Sequence, residues 1–157
     1  MLCWIALCLS LLALQAHATG GALSNAATGV AGVYTGQQRI SDHPHHVLMG
    51  HVIIVSRDGA LARALVIGHR LDGIHRLRFS EAWTAGQPLP FHRETGAGCT
   101  HGHCRDGSVG MILLDGAGFD QALRRGLAAR LTVPSGTIDI SVPAALFHDA
   151  ATHAAGM

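Results

Sequence analysis

An antiparallel β-sandwich or barrel-like domain with two short helices, behind an N-terminal signal peptide, is the fold this sequence predicts. Three observations predict it. Short apolar, β-branched runs recur between turn dipeptides at near-regular spacing, as in an all-β meander. Only 13% of residues are charged against 48% hydrophobic, with mean hydropathy +0.30, so the chain collapses around a core instead of staying disordered. Its 157 residues suit a single domain.

The elements follow in order. Residues 2–14 are nearly all apolar, and Gln15, Ala16, His17 and Ala18 place small side chains where signal peptidase needs them. The run is shorter than the roughly 20 residues that cross a bilayer. Residues 1–18 therefore read as a cleaved signal peptide, although no arginine precedes Arg39 to form the usual positive n-region. Cleavage there leaves no stable transmembrane segment and sends the chain to the periplasm or the medium. Residues 19–32 are small and uncharged and read as a flexible Gly/Ala-rich leader. Residues 33–157 then form one β-rich domain.

Within it, the apolar runs 46–55 and 60–67 flank Asp58-Gly59, a strong hairpin signal because glycine supplies positive φ without steric cost. Leu71-Asp72-Gly73-Ile74 predicts a second turn. Behind it, Leu77 and Phe79 alternate with Arg76 and Arg78. Pro88 and Pro90 mark residues 86–91 as edge-like, since proline cannot donate to a ladder. Residues 96–107 read as an irregular loop, and 109–114 as a strand. Asp115 predicts the N-cap of a short helix carrying Phe119, Ala122 and Leu123, stopped by Gly126. Strands at 127–133 and 137–142 follow, joined through Pro134 and Gly136. Pro143 opens a terminal helix bearing Leu146 and Phe147.

Two groups of side chains carry candidate chemistry. Cys99 and Cys104 are the cysteines left after signal cleavage, and in an oxidising compartment such a pair reads as a disulfide. With His101 and His103 between them they also make up a zinc-like ligand set, but four ligands within six residues do not converge easily on a tetrahedral ion. His43, His45 and His46 form the second group. Neutral imidazoles so close together suit copper or zinc, and with His101 and His103 they define a periplasmic metal-binding alternative. Other classes find no support. There is no Gly-x-Ser-x-Gly elbow, no paired-carboxylate signature and no phosphate loop, and the adjacency of Ser41, Asp42 and His43 does not make a triad. A net charge of +1 without lysine rules out a dense nucleic-acid footprint. Arg57, Arg63, Arg70, Arg76 and Arg78, and separately Arg124, Arg125 and Arg130, read as solvated faces. The sequence thus predicts a non-enzymatic binding or scaffolding domain without cofactor, whose partner is an envelope protein or surface ligand.

From residue 77 to 147 a series of features also fits a known pattern. It comprises a hydrophobic strand, the lead-in at 86–91, the close cysteine pair and an aliphatic strand. After them come Phe-x-x-Ala-Leu-x-x-Gly at 119–126 and Ile-x-Val-Pro at 140–143. This order resembles the invasion-associated locus B family of exported bacterial proteins. The resemblance implies a secreted or periplasmic all-β protein and transfers no catalytic residue. The mature chain departs from that family in lacking its Trp-x-x-x-Cys opening and in carrying one cysteine pair.

Overall fold

The computed structural model describes residues 20–27, 29–69, 78–100 and 103–156, with the side chains at 69 and 94–108 outside the described set. The chain forms β1 (Gly21–Asn25), β2 (Val30–Tyr34), β3 (Gln38–Arg39), β4 (Leu48–Arg57), β5 (Ala60–His69), β6 (Glu81–Thr84) and β7 (Gln87–Leu89). Next come β8 (Phe91–Thr100) and β9 (His103–Leu114), helix α1 (Gly116–Arg125), β10 (Leu127–Val133), β11 (Gly136–Val142) and helix α2 (Ala144–Ala155). All strand pairings are antiparallel. A seven-stranded sheet runs β1-β2-β4-β5-β9-β8, with β3 also on β4, and a four-stranded sheet runs β11-β10-β6-β7. Neither closes into a barrel among the described residues.

The expected hairpin is the backbone of the larger sheet. Arg57 faces Ala60 across a turn in which Asp58 (φ 50°) and Gly59 (φ 79°) both take positive φ, the two-residue geometry whose twist suits flanking strands. In β4, Leu48, Val52 and Ile54 are buried on one side while Met49, His51, Ile53 and Val55 on the other are half-buried. In β10 and β11, buried Leu131, Val133, Ile138 and Ile140 alternate with exposed Arg130 and Asp139. The buried faces of both sheets share one core with Phe79, Phe119, Leu146 and Phe147.

Both helices cap that core as anticipated. The Asp115 carboxylate accepts from the Gly118 N–H at 2.7 Å, satisfying an orphan donor of α1, and Gly126 ends the helix. Phe119 meets Phe147 edge to face, centroids 5.9 Å apart. The Arg63 guanidinium lies 5.5 Å from the Phe119 ring centroid. Pro143 occupies the N-cap of α2, where its missing N–H costs no helical hydrogen bond.

The structure corrects the sequence reading in two places and adds a hairpin that it did not anticipate. Within the stretch 19–32, where a flexible leader was expected, the described residues supply β1 and the first part of β2. Its glycine allows close approach, since a Cβ at Gly32 would collide with the Ile54 carbonyl, and neighbouring Val33 is 2% exposed in the core. Residues 96–100 and 103–107, expected in an irregular loop, are strand instead, because β8 and β9 stay paired from Phe91↔Ile112 to Thr100↔His103. Among the described residues β5 pairs with β9 only between Gly110 and Leu114, so the rest of this hairpin is a two-stranded ribbon with no neighbour on the β5 side. Finally β6 turns into β7 through Ala85 (φ 46°) and Gly86 (φ 78°), and an alanine in that conformation gives no turn signal. Pro88 does lie on the edge strand, as its chemistry demands. The expected signal peptide at 1–18 and the turn at 71–74 lie outside the described residues.

Removing the α1 cap by Asp115→Ala should lower unfolding free energy by about 1 kcal/mol. Phe147→Ala should lower it by about 3–5 kcal/mol through the cavity it leaves in the shared core. Urea denaturation followed by circular dichroism reads both, and equal losses would contradict this placement of the core.

Candidate functional site

The histidine segment links β3 to β4. Buried Ser41 pins it: its hydroxyl donates to the His46 carbonyl at 2.8 Å and accepts from the Leu48 N–H at 2.9 Å. The His43 and His46 rings stack with centroids 4.7 Å apart and planes at 27°, and His45 meets His43 edge-on at 6.0 Å. His43 Nδ1 accepts from the His45 backbone N–H at 3.2 Å, which occupies one potential ligand lone pair. Stacked rings send their in-plane lone pairs outward side by side, not toward a common point. Among the described residues no group of three or more His, Cys, Asp or Glu side chains is placed to hold a metal ion. The side chains of His101 and His103 lie outside the described residues.

The register adds one fact about that second histidine group. Gly50, Ile67 and Gly110 stand level across β4, β5 and β9. His103 is farther along β9 by roughly 24 Å at strand rise, at the same end of the sheet as residues 41–46. The histidine loop instead doubles back, with the Ile40 N–H donating to the Leu48 carbonyl at 2.9 Å. Cys99 and Cys104 are directly opposed in the β8–β9 ladder. Opposed Cα atoms in antiparallel strands lie about 4.5–5.5 Å apart, inside the roughly 4.4–6.8 Å span of disulfides.

On the smaller sheet, Trp83, Arg130 and Asp139 form a cross-strand row on the outer face. The Trp83 indole N–H donates to Glu81 Oε2 at 3.0 Å, and Arg130 binds Asp139 through two bonds of 2.7 and 3.2 Å. That hydrogen-bonded pairing holds the Asp139 carboxyl below its ordinary value and the Arg130 guanidinium above its own. Two open clefts of about 540 and 530 Å³ flank the row; the first is also bordered by Arg39, Asp42 and His43. The described arginines are dispersed. Arg63 turns over Phe119, Arg57 lies 3.6 Å from Asp58, and Arg124 and Arg125 sit in the last turn of α1, where the helix dipole favours cations. Arg70 and Arg76 lie outside the described residues.

The feature that sequence reading missed is the outer face of the larger sheet. Register places Met49 opposite Gly68, His51 opposite Val66, Ile53 opposite Ala64 and Val55 opposite Ala62, with Ala64 next to Leu113 and Val66 next to Met111. Tyr34 extends the row beyond Ile53. Described positions at the centre of this face carry no formal charge. Charge is confined to the rim, where Arg39 opposite Met49 donates to the Ser41 carbonyl at 2.7 Å and Arg57 ends β4. Tyr34 is 37% and Leu113 43% exposed, unusual values for large apolar side chains in mid-sheet. A signal existed in the sequence: residues 52–55 run Val-Ile-Ile-Val, and an unbroken apolar strand is apolar on both faces.

Comparison with protein-family models, with curated proteins and with solved structures finds no match to this chain. Among the described residues no helix is long and apolar enough to cross a membrane.

Burial on this face pushes the His51 imidazole below its ordinary value. The unfolded chain then binds the proton more readily, so stability falls as pH drops through about 6.5. Urea midpoints measured above and below that pH should diverge more for the wild type than for His51→Gln. Identical pH dependence in the two proteins would show that His51 is not desolvated.

Proposed function

We propose that this chain is an exported, non-enzymatic β-domain that binds or scaffolds at the cell envelope through the uncharged outer face of its seven-stranded sheet. The observation that carries this reading is the face itself. Contiguous exposed apolar patches beyond a few hundred Å² are rare on soluble monomers and mark interaction sites. Here Tyr34, Ile53, Val66, Met111 and Leu113 share a charge-free field rimmed by arginines, the apolar-centre, polar-rim plan of a protein interface.

Export is supported by the apolar run at 2–14 with its Ala-x-Ala ending, and by the resemblance of residues 77–147 to an exported family. The opposed positions of Cys99 and Cys104 fit a disulfide formed in an oxidising compartment. Closing so short a loop contributes about 2 kcal/mol. That crosslink holds the outer ribbon in register and leaves the core independent of it.

Fractionation of producing cells, with intact-mass analysis, tests the compartment. The expected product begins at Thr19, has no titratable thiol and gains two hydrogens on reduction. Retention of Met1 with four free thiols overturns export. The face is tested with the dye 8-anilinonaphthalene-1-sulfonate at low protein concentration. The folded chain should enhance its fluorescence, and Leu113→Glu should lower that enhancement while circular dichroism stays unchanged.

A further inference from the structure

We infer that the outer face of the smaller sheet binds a neutral glycan, with Trp83 as the stacking platform and the Arg130–Asp139 pair as the hydroxyl-binding edge. This site shares no residue with the face proposed above, so either stands without the other.

The platform comes first. Pro88, Trp83, Arg130 and Asp139 stand level across β7, β6, β10 and β11. Strands about 4.8 Å apart give the row a length of about 14 Å, enough for a short oligosaccharide. The half-buried Trp83 indole lines the cleft of about 530 Å³ beside it. Glu81 Oε2 holds that ring by accepting from the indole N–H at 3.0 Å. The adjoining turn adds no bulk: Ala85 and Gly86 carry a methyl group or less, and a Cβ at Gly86 would meet nothing within 4 Å. An indole face is electron-rich, whereas the C–H bonds on one side of a pyranose ring are polarised by the sugar oxygens. A sugar laid on Trp83 matches both surfaces.

The edge has different chemistry. Each sugar hydroxyl both gives and takes a hydrogen bond, so it is best served by a donor and an acceptor side by side. Arg130 and Asp139 are such a pair. Two bonds of 2.7 and 3.2 Å lock them together, yet their side chains remain 59% and 71% exposed. The fork uses two of the five guanidinium N–H groups, and the carboxylate keeps lone pairs for a further donor. Thr137 and Ser141 share the exposed side of β11 with Asp139 and border the second cleft, of about 540 Å³, so hydroxyl groups continue beyond the pair.

Charge selects against other ligands. Asp139 neutralises Arg130 and Glu81 adds a negative charge, so the row has no positive surplus for a phosphate or an acidic polymer. Protein interfaces place apolar side chains at the centre and charges at the rim; here an ion pair stands in the middle. Quaternary ammonium groups are held in cages of several aromatic rings. Among the described residues lining the two clefts, Trp83 is the one Trp, Tyr or Phe.

Isothermal titration calorimetry of the full chain with cellotetraose and with chitotetraose tests the inference. At least one should bind, with a dissociation constant that rises about tenfold or more in Trp83→Ala and in Arg130→Gln. Arg130 is a surface side chain, so its variant keeps the fold even where Trp83→Ala does not. Arg124→Gln, in the last turn of α1, should leave the affinity unchanged. Preference for chitotetraose identifies an N-acetylated glycan and preference for cellotetraose a plain glucan, and either supports the site. Binding of polygalacturonate or choline in place of both tetrasaccharides overturns it. So does binding of none of the four, or saccharide binding that neither Trp83→Ala nor Arg130→Gln weakens.

Discussion

The ten-residue ladder between β4 and β5 is the constraint on which the rest of the structure depends. It runs from Leu48↔His69 to Arg57↔Ala60 and decides which side chains face the core. A slip of one residue in a strand moves its whole side-chain set to the opposite face. In most half-buried strands hydrophobic contrast prevents that slip. Here the contrast is weak, because Val52 and Ile54 on one side differ little from Ile53 and Val55 on the other. Local geometry supplies the missing specificity. The Asp58-Gly59 turn fixes the pairing at one end. In the middle, Gly50 leaves room for Ile40, whose methyl carbons would lie only 2.9 Å from an added Cβ.

With β4 and β5 set, the other layers fall on one side of them. Ile40 ties the two sheets together: its N–H donates to the Leu48 carbonyl, and its own carbonyl accepts from the Ser141 N–H at 2.8 Å. Two buried hydroxyls complete the backbone accounting where the partner of β4 changes from β2 to β3. Thr35 Oγ1 accepts from the Val52 N–H at 2.9 Å, while Ser41 Oγ accepts from the Leu48 N–H. Each serves a donor that would otherwise be buried and unpaired, an omission costing about 1–3 kcal/mol. The helices, packed through Phe119 and Phe147, and the smaller sheet cover the same core.

The parts of the fold legible in the sequence are those governed by local chemistry. Asp58-Gly59, the Asp115 cap and the strand pair joined through Pro134 and Gly136 each carry their own instruction, and each stands where it was expected. The parts that were not legible depend on distant partners. Gly32 reads as flexible until β4 is beside it, and the ribbon at 94–109 reads as loop because, among the described residues, no third strand pairs with it. The candidate surface was half legible. Val-Ile-Ile-Val at 52–55 announces two apolar faces, but only the fold tells which one the helices and second sheet cover. For His43, His45 and His46, sequence proximity suggested convergence; Ser41 pins the loop so that the rings stack instead.

In the proposed function, absence of charge on the outer face also determines how it would discriminate between partners. Charged interfaces gain steering and selectivity from complementary potentials, and salt weakens them. A face made of Ile53, Val66, Met111 and Leu113 has neither property, so its affinity scales with apolar area and is largely insensitive to ionic strength. Selectivity must then come from shape. A flat apolar sheet accepts any apolar surface, so the relief left by Tyr34 and Leu113, which stand clear of the face while Ala64 between the strands is buried, has to supply it. The Asp58-Gly59 turn that sets the register of the core therefore also sets which apolar side chains stand on the outer face.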